Sequence, residues 1–156
     1  MITLAERVQA LQQAFERIAR TRMADLPLNN ARLDVATVDF RADDDGEVAL
    51  GMLVTPWCMN LLRLPLRDGI AVLGVGITGE RDIGVRRFHF IGAHEPGPGA
   101  FEASSLFSPM FEFASQAAAL ATAQEALKEL RGTGAVRPPA QPARRGFLFG
   151  RSGAAA

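Results

Sequence analysis

The chain has 156 residues, 48% of them hydrophobic and 22% charged. That length suits one domain and that apolar share can fill a core, which excludes disorder of the whole chain. Seventeen Lys plus Arg balance seventeen Asp plus Glu, so no basic field exists to attract a nucleic-acid backbone.

One cysteine, Cys58, and two histidines, His89 and His94, offer neither an internal disulfide nor a ready set of zinc ligands. No metal, no cofactor and no catalytic residue is assigned. The opening MITLAERVQA lacks a basic leader, and no run approaches the roughly 18 apolar residues of a membrane span. A soluble, cytoplasmic protein is expected, with no membrane insertion.

Residues 3 to 23 predict an amphipathic helix, since Leu4, Val8, Leu11, Phe15 and Ile18 recur at helical spacing. Thr3 and Glu6 have capping-box spacing at its start. The segment Asp25-Leu26-Pro27-Leu28-Asn29-Asn30 then breaks the pattern. Residues 33 to 42 and 47 to 55 are rich in β-branched and apolar residues, and they flank an Asp45-Gly46 hairpin signal.

Residues 57 to 65, 70 to 78 and 85 to 93 continue as strands at short spacing, which predicts an antiparallel meander. In the last of these, Phe88 and Phe90 alternate with Arg87 and His89, the pattern of a strand with one wet face. Residues 100 to 103 read as a short edge piece. Ser108-Pro109 has the form of a helix start, which predicts a second helix to about Leu130 with Met110, Phe113, Ala114, Ala117, Leu120, Ala121 and Leu127 facing the core. The expected fold is a single α+β domain over residues 1–131. It has about five antiparallel strands packed with an N-terminal helix and a long helix near the C-terminus. Residues 132–156, rich in Gly, Pro, Ala and Arg and without an acid, read as a flexible basic tail.

Gly74-Val75-Gly76-Ile77-Thr78-Gly79 matches G-x-G-x-x-G, but an extended run follows instead of a helix, so no helix N-terminus would face a phosphate. A glycine-rich strand end with a turn is the better reading. Cys58 as a nucleophile would need His89 or His94 as its base, and no spacing supports that constellation; a small buried hydrophobe fits better. Asp43, Asp44 and Asp45 form the most acidic local stretch, read as a solvated turn or as an acidic patch for arginines.

Two clusters are rich in aromatic residues and sulfur, residues 54–61 and 104–113. Core packing accounts for most of them. One helix stripe, however, cannot bury Phe107, Met110, Phe111 and Phe113 together, so some are expected at the margin of a peptide-binding groove. The candidate groove residues are Trp57, Met59, Asn60, Phe107, Met110, Phe111 and Glu112. In the tail, Arg144, Arg145, Phe147 and Leu148 give R-R-x-F-L, the core of a twin-arginine export signal in the wrong position to act as one.

The blocks VTPWCMNLL (54–62), SLFSPMFEFASQAAALATA (105–123) and RRGFLFGR (144–151) resemble the HybE family of [NiFe]-hydrogenase assembly chaperones. Where the family's Asn-Pro-x-Leu is expected, this chain has Asn30-Ala31-Arg32-Leu33, so a role tied to that proline does not carry over. The resemblance implies a cytoplasmic accessory protein, not an enzyme. Its implied client is the small-subunit precursor of an uptake hydrogenase, held through its twin-arginine signal peptide until assembly is complete. Other maturation factors, including a separate rubredoxin-like protein, are further implied partners, and a homodimer is left open. The tail segment is then read as an internal mimic of the client signal, competing for the same groove. A scaffold that binds mature subunit surfaces is the alternative reading, with a small thiol- or nucleotide-dependent enzyme behind it.

Overall fold

The computed structural model describes residues 3–132. The first element is α1 (Leu4–Arg20), opened by the capping box read from the sequence: Glu6 N donates to Thr3 Oγ1 at 3.1 Å and Thr3 N donates to Glu6 Oε1 at 2.9 Å. It ends at Arg20, three residues short of the predicted limit, where Thr21 leaves helical geometry.

The strands are β1 (Ala36–Ala42), β2 (Val48–Val54), β3 (Met59–Pro65), β4 (Thr78–Ile83), β5 (Arg86–Glu95) and β6 (Gly99–Phe107). They form one sheet in the order β1-β2-β3-β6-β5-β4, with every neighbouring pair antiparallel. The chain closes with α2 (Gln116–Arg131). The architecture is α+β, as expected, with six strands instead of about five.

Three expectations change. Residues 70–78 are not a strand. They cross the α2 side of the sheet, where carbonyls of Leu73 and Gly74 would lie 2.2 Å from a Cβ on Gly92, so that position must be glycine. The neighbouring strand is instead Thr78–Ile83, a charged stretch whose exposure alternates along the sheet edge. The predicted edge piece at 100–103 is part of nine-residue β6, which pairs with both β3 and β5 in mid-sheet and so interrupts the expected meander.

The second helix starts seven residues later than predicted in its capping residue. Ser115, not Ser108, accepts from the Ala118 amide at 3.1 Å as the N-cap. Residues 108–114 form a loop instead. The buried face of α2 is Ala119, Ala123, Ala126, Leu127 and Leu130, whereas Ala114, Ala117 and Ala121 are exposed. Starting the helix at Gln116 sets the stripe from Ala119, and the alanines let the helix lie close to β1 and β2.

The two faces of the sheet carry separate cores. On the α2 face Val38, Met52, Leu61, Phe90, Met110 and Leu127 pack together; on the α1 face Leu11, Leu53, Leu62, Leu64 and Phe101 do so. Gly51 permits one close contact in the second core. A Cβ there would stand 2.4 Å from the Phe40 ring, so the ring lies directly on the strand.

A buried ion cluster joins the crossing segment to the sheet. Glu102, with no exposed surface, accepts from Arg81 Nε at 3.0 Å, Arg81 Nη2 at 2.7 Å and the Leu73 amide at 2.7 Å, and it also pairs with Arg63. Burial pushes the Glu102 carboxyl up, but the hydrogen bonds from Arg81, Leu73 and Arg63 outweigh it and hold the group below the ordinary carboxylate range.

Candidate functional site

One end of the sheet brings the two motif clusters together. The hairpin β2–β3 closes through Thr55-Pro56-Trp57-Cys58, which Thr55 organises: its Oγ1 accepts from Cys58 N at 2.9 Å and Trp57 N at 3.2 Å. Across β3 and β6, Met59 is in register with Phe107. The Phe107 ring then meets Phe113 edge to face, with centroids 5.2 Å apart.

Asn30 ties these pieces into one surface. Its side-chain nitrogen donates to the carbonyls of Met110 at 2.9 Å and Phe113 at 2.8 Å, while its backbone N–H donates to the Pro56 carbonyl at 2.9 Å. Its side-chain oxygen accepts from Arg32 N at 3.0 Å. Asn30 itself is buried. The loops 26–30, 55–58 and 110–113 are thus held through a single amide side chain and its backbone.

Sequence reasoning read Asn30 as part of a breaker and as the start of Asn30-Ala31-Arg32-Leu33, and gave it no anchoring role. The signal that could have found it is its place in the Asn-x-x-Leu segment of the family resemblance, at the border of a strand. A buried asparagine there has two donors with which to satisfy loop carbonyls.

What this end presents to solvent is partly as expected. Phe111 is 57% exposed, Glu112 beside it is exposed, and Trp57 and Phe107 are half-buried. Leu26 and Leu28, which the sequence reading left as loop residues, are also exposed on the stapled loop. These exposed and half-buried apolar side chains stand on three linked loops at this end of the sheet.

Other candidates lie elsewhere. Met59 and Met110 are fully buried in the α2-side core and contribute no groove surface; they support the loops from beneath. Asn60 pairs with Leu53 and Ser105 on the α1 side of the sheet, because alternate residues of β3 face opposite ways. Its Oδ1 is buried and has no partner among the described residues.

The acidic turn Asp43-Asp44-Asp45 sits at the far end of β2 from Trp57, about 20 Å away along a seven-residue strand. Asp43 caps its own turn, accepting from Glu47 N at 2.9 Å, and Glu47 pairs with Arg67 at 2.8 Å. The turn and Trp57 therefore do not belong to one compact pocket. The tail residues Arg144, Arg145, Phe147 and Leu148 lie outside the described residues.

The rival chemistry gains no geometry. Burial raises the Cys58 thiol, which a hydrogen bond from Thr55 only partly offsets, so the reactive thiolate is disfavoured. His89 faces Glu80 across β4 and β5, at 3.5 Å, on the other side of β6 from β3. Gly74–Gly79 leads into β4 and not into a helix. Among the described residues no group of three or more His, Cys, Asp or Glu is placed to hold a metal ion, and no helix is long and apolar enough to cross a membrane.

A second concavity lies between α1 and the edge strand β1. It has a volume of about 600 Å³, with Leu4, Val8 and Phe40 as its apolar lining and Gln9, Gln12 and Glu16 as its polar rim. Gln12 is fixed there. Its Oε1 accepts from Thr37 N at 3.2 Å and Thr37 Oγ1 at 3.0 Å, and its Nε2 donates to Glu16 at 3.2 Å.

A family model described as [NiFe]-hydrogenase assembly, chaperone, HybE matches residues 6–150. The chain is 47% identical to Protein HoxT of Cupriavidus necator, over 94% of this chain and 89% of that protein. It is 38% identical to the hydrogenase expression/formation protein HupJ of Bradyrhizobium diazoefficiens, over 77% of this chain and 69% of that one. The solution structure of HybE from Escherichia coli superposes with a TM-score of 0.64 at 20% identity, covering 87% of this chain and 82% of that one, and so shares the fold. The chain belongs to the HybE family of [NiFe]-hydrogenase assembly chaperones.

Proposed function

We propose that the chain is a cytoplasmic chaperone for the small-subunit precursor of a [NiFe] uptake hydrogenase. In this reading it holds the precursor through its twin-arginine signal peptide and delays export until assembly is complete. The observation that carries the proposal is the loop surface stapled by Asn30, which carries half-buried Trp57 and Phe107 and exposed Phe111 and Glu112 at one end of the sheet. A signal peptide offers adjacent arginines followed by an apolar stretch, and a face combining aromatic rings with a carboxylate is complementary to both.

The acidic turn at Asp43–Asp45 enters this reading as a second arginine contact only for an extended peptide, because a span of about 20 Å corresponds to about six residues in extended form. Other partners follow from the relatives. One relative, from Rhodobacter capsulatus, is named a probable rubredoxin; it is 32% identical, and the match covers 79% of this chain but 44% of that protein. A separate rubredoxin-like protein is therefore proposed as a co-worker.

Binding of the full-length chain to the client precursor with and without its signal peptide tests the proposal. Loss of binding when the signal peptide is removed supports it. Undiminished binding would transfer the function to a scaffold that grips the mature subunit.

A further inference from the structure

The pairing of β5 with β6 stops partway along the two strands. Their register runs from Glu95↔Gly99 to Ile91↔Ala103 and ends there. Beyond that point, among the described residues, residues 86–90 pair only with β4, and Ser104, Ser105 and Phe107 only with β3. Because β5 and β6 are antiparallel, both of these lengths lie at the Trp57 end of the sheet. The sheet forks there. One arm is the β4–β5 hairpin, and the other is the end of β6 that leads into the loop anchored by Asn30.

Alternation fixes which backbone groups face the fork. The Gly92 amide donates to the Ile77 carbonyl at 3.0 Å, so residues 88, 90 and 92 of β5 turn their N–H and C=O groups toward β4. Arg87 and His89 turn theirs the other way, to the side that β6 has left. The β5 arm therefore presents a short row of strand edge, which is a template for pairing with another chain. The outer edge of β1 is treated differently. There Gln12 takes the Thr37 amide at 3.2 Å, and a bulge between Val38 and Arg41 breaks the register.

The side chains of the arm suit an uncharged, apolar segment. Phe88 and Phe90 form a buried apolar face on the α2 side. Ile91, 43% exposed, stands where the arms part, and Val85, 71% exposed, stands at the hairpin tip. The acids of the arm already have basic partners: Asp82 meets Arg87 at 2.8 Å, and Glu80 meets Arg87 and His89 at 3.5 Å each. Residues 86–90 span about 17 Å, room for about five residues of extended chain.

We propose that the β5 arm takes part of the apolar stretch of the client's signal peptide as an added strand, bonded to the backbones of Arg87 and His89. The inference rests on the reading that the client is held through its signal. It leaves the signal's arginines at Glu112, whose loop follows directly from the other arm of the fork. Main-chain pairing supplies affinity without demanding particular apolar side chains.

Amide hydrogen exchange of the full chain, with and without the client's signal peptide, tests the added strand. Exchange at Arg87 and His89 should slow about tenfold or more on binding, while Phe90, already bonded to β4, changes little. Two further peptides carry N-methyl groups at alternate positions of the apolar stretch, one at the odd and one at the even positions. One of them should bind about tenfold or more weakly and the other like the parent, since only alternate N–H groups reach a single neighbouring strand. Slowing confined to residues 26–30, 55–58 and 110–113, or equal affinity of the two methylated peptides, would overturn the added strand and leave the client reading intact. A signal peptide that alters no amide would overturn both.

Discussion

The side-chain amide of Asn30 and the carbonyl of Met110 meet at 2.9 Å across 80 positions of sequence. The same nitrogen serves Phe113 at 2.8 Å, so one buried side chain determines how the aromatic loop is presented. The exposed position of Phe111 depends on that anchoring, because its neighbour Met110 is drawn fully into the core.

Asn30→Ala is expected to leave the Met110 and Phe113 carbonyls without donors in a buried site, lowering stability by about 2–3 kcal/mol. Urea unfolding followed by Trp57 fluorescence reads the effect. A loss within about 0.5 kcal/mol, the range of ordinary surface changes, would show that the anchoring is unimportant.

Glu102→Gln breaks a buried charge cluster and leaves Arg63 and Arg81 facing a neutral group, which should cost about 3 kcal/mol at neutral pH. The pH dependence has a definite sign. The folded Glu102 carboxyl lies below its unfolded value of about 4.3, so its contribution is complete above that pH and fades as pH falls through the folded value. The stability gap between wild type and variant should therefore narrow on acidification from neutral pH to below pH 4. A constant gap would contradict the assignment.

Gly51→Ala puts a methyl group within 2.4 Å of the Phe40 ring and should cost about 1–3 kcal/mol by displacing it. In a Phe40→Ala background the same substitution should cost little. A double-mutant cycle measures this, and additive costs would show that the two residues are not coupled.

Much of the fold was legible because its signals are local. The Thr3–Glu6 capping box, the Asp45-Gly46 turn and the Phe88/Phe90 alternation each need only a few neighbouring residues, and each is present. The late start of α2 was not legible, since Ser108-Pro109 and Ser115 both have cap chemistry and the choice rests on Asn30, distant in sequence, holding residues 110–113 as a loop. The insertion of β6 between β3 and β5 is likewise a long-range pairing with no local signature. In the candidate site, exposed Phe111 and half-buried Trp57 were legible as aromatic excess. Burial of Met59 and Met110 was not, because apolar composition does not distinguish the support beneath a surface from the surface itself.

Phe111→Ala and Glu112→Arg should each weaken client binding about tenfold while leaving stability within about 0.5 kcal/mol, as expected for exposed side chains that act at an interface. Paired affinity and urea-unfolding measurements check this. Client affinity unchanged from wild type in both variants would remove the stapled loops from the binding surface.

The most direct measurement is a calorimetric titration of the full chain with the twin-arginine signal peptide of its hydrogenase small subunit, alongside a peptide in which both arginines are lysine. Saturable binding that is lost or strongly weakened with the lysine peptide is the predicted result, because guanidinium forks and ammonium groups are not interchangeable before a carboxylate. Absence of binding to the arginine peptide, or equal binding of the two, would contradict recognition of the signal.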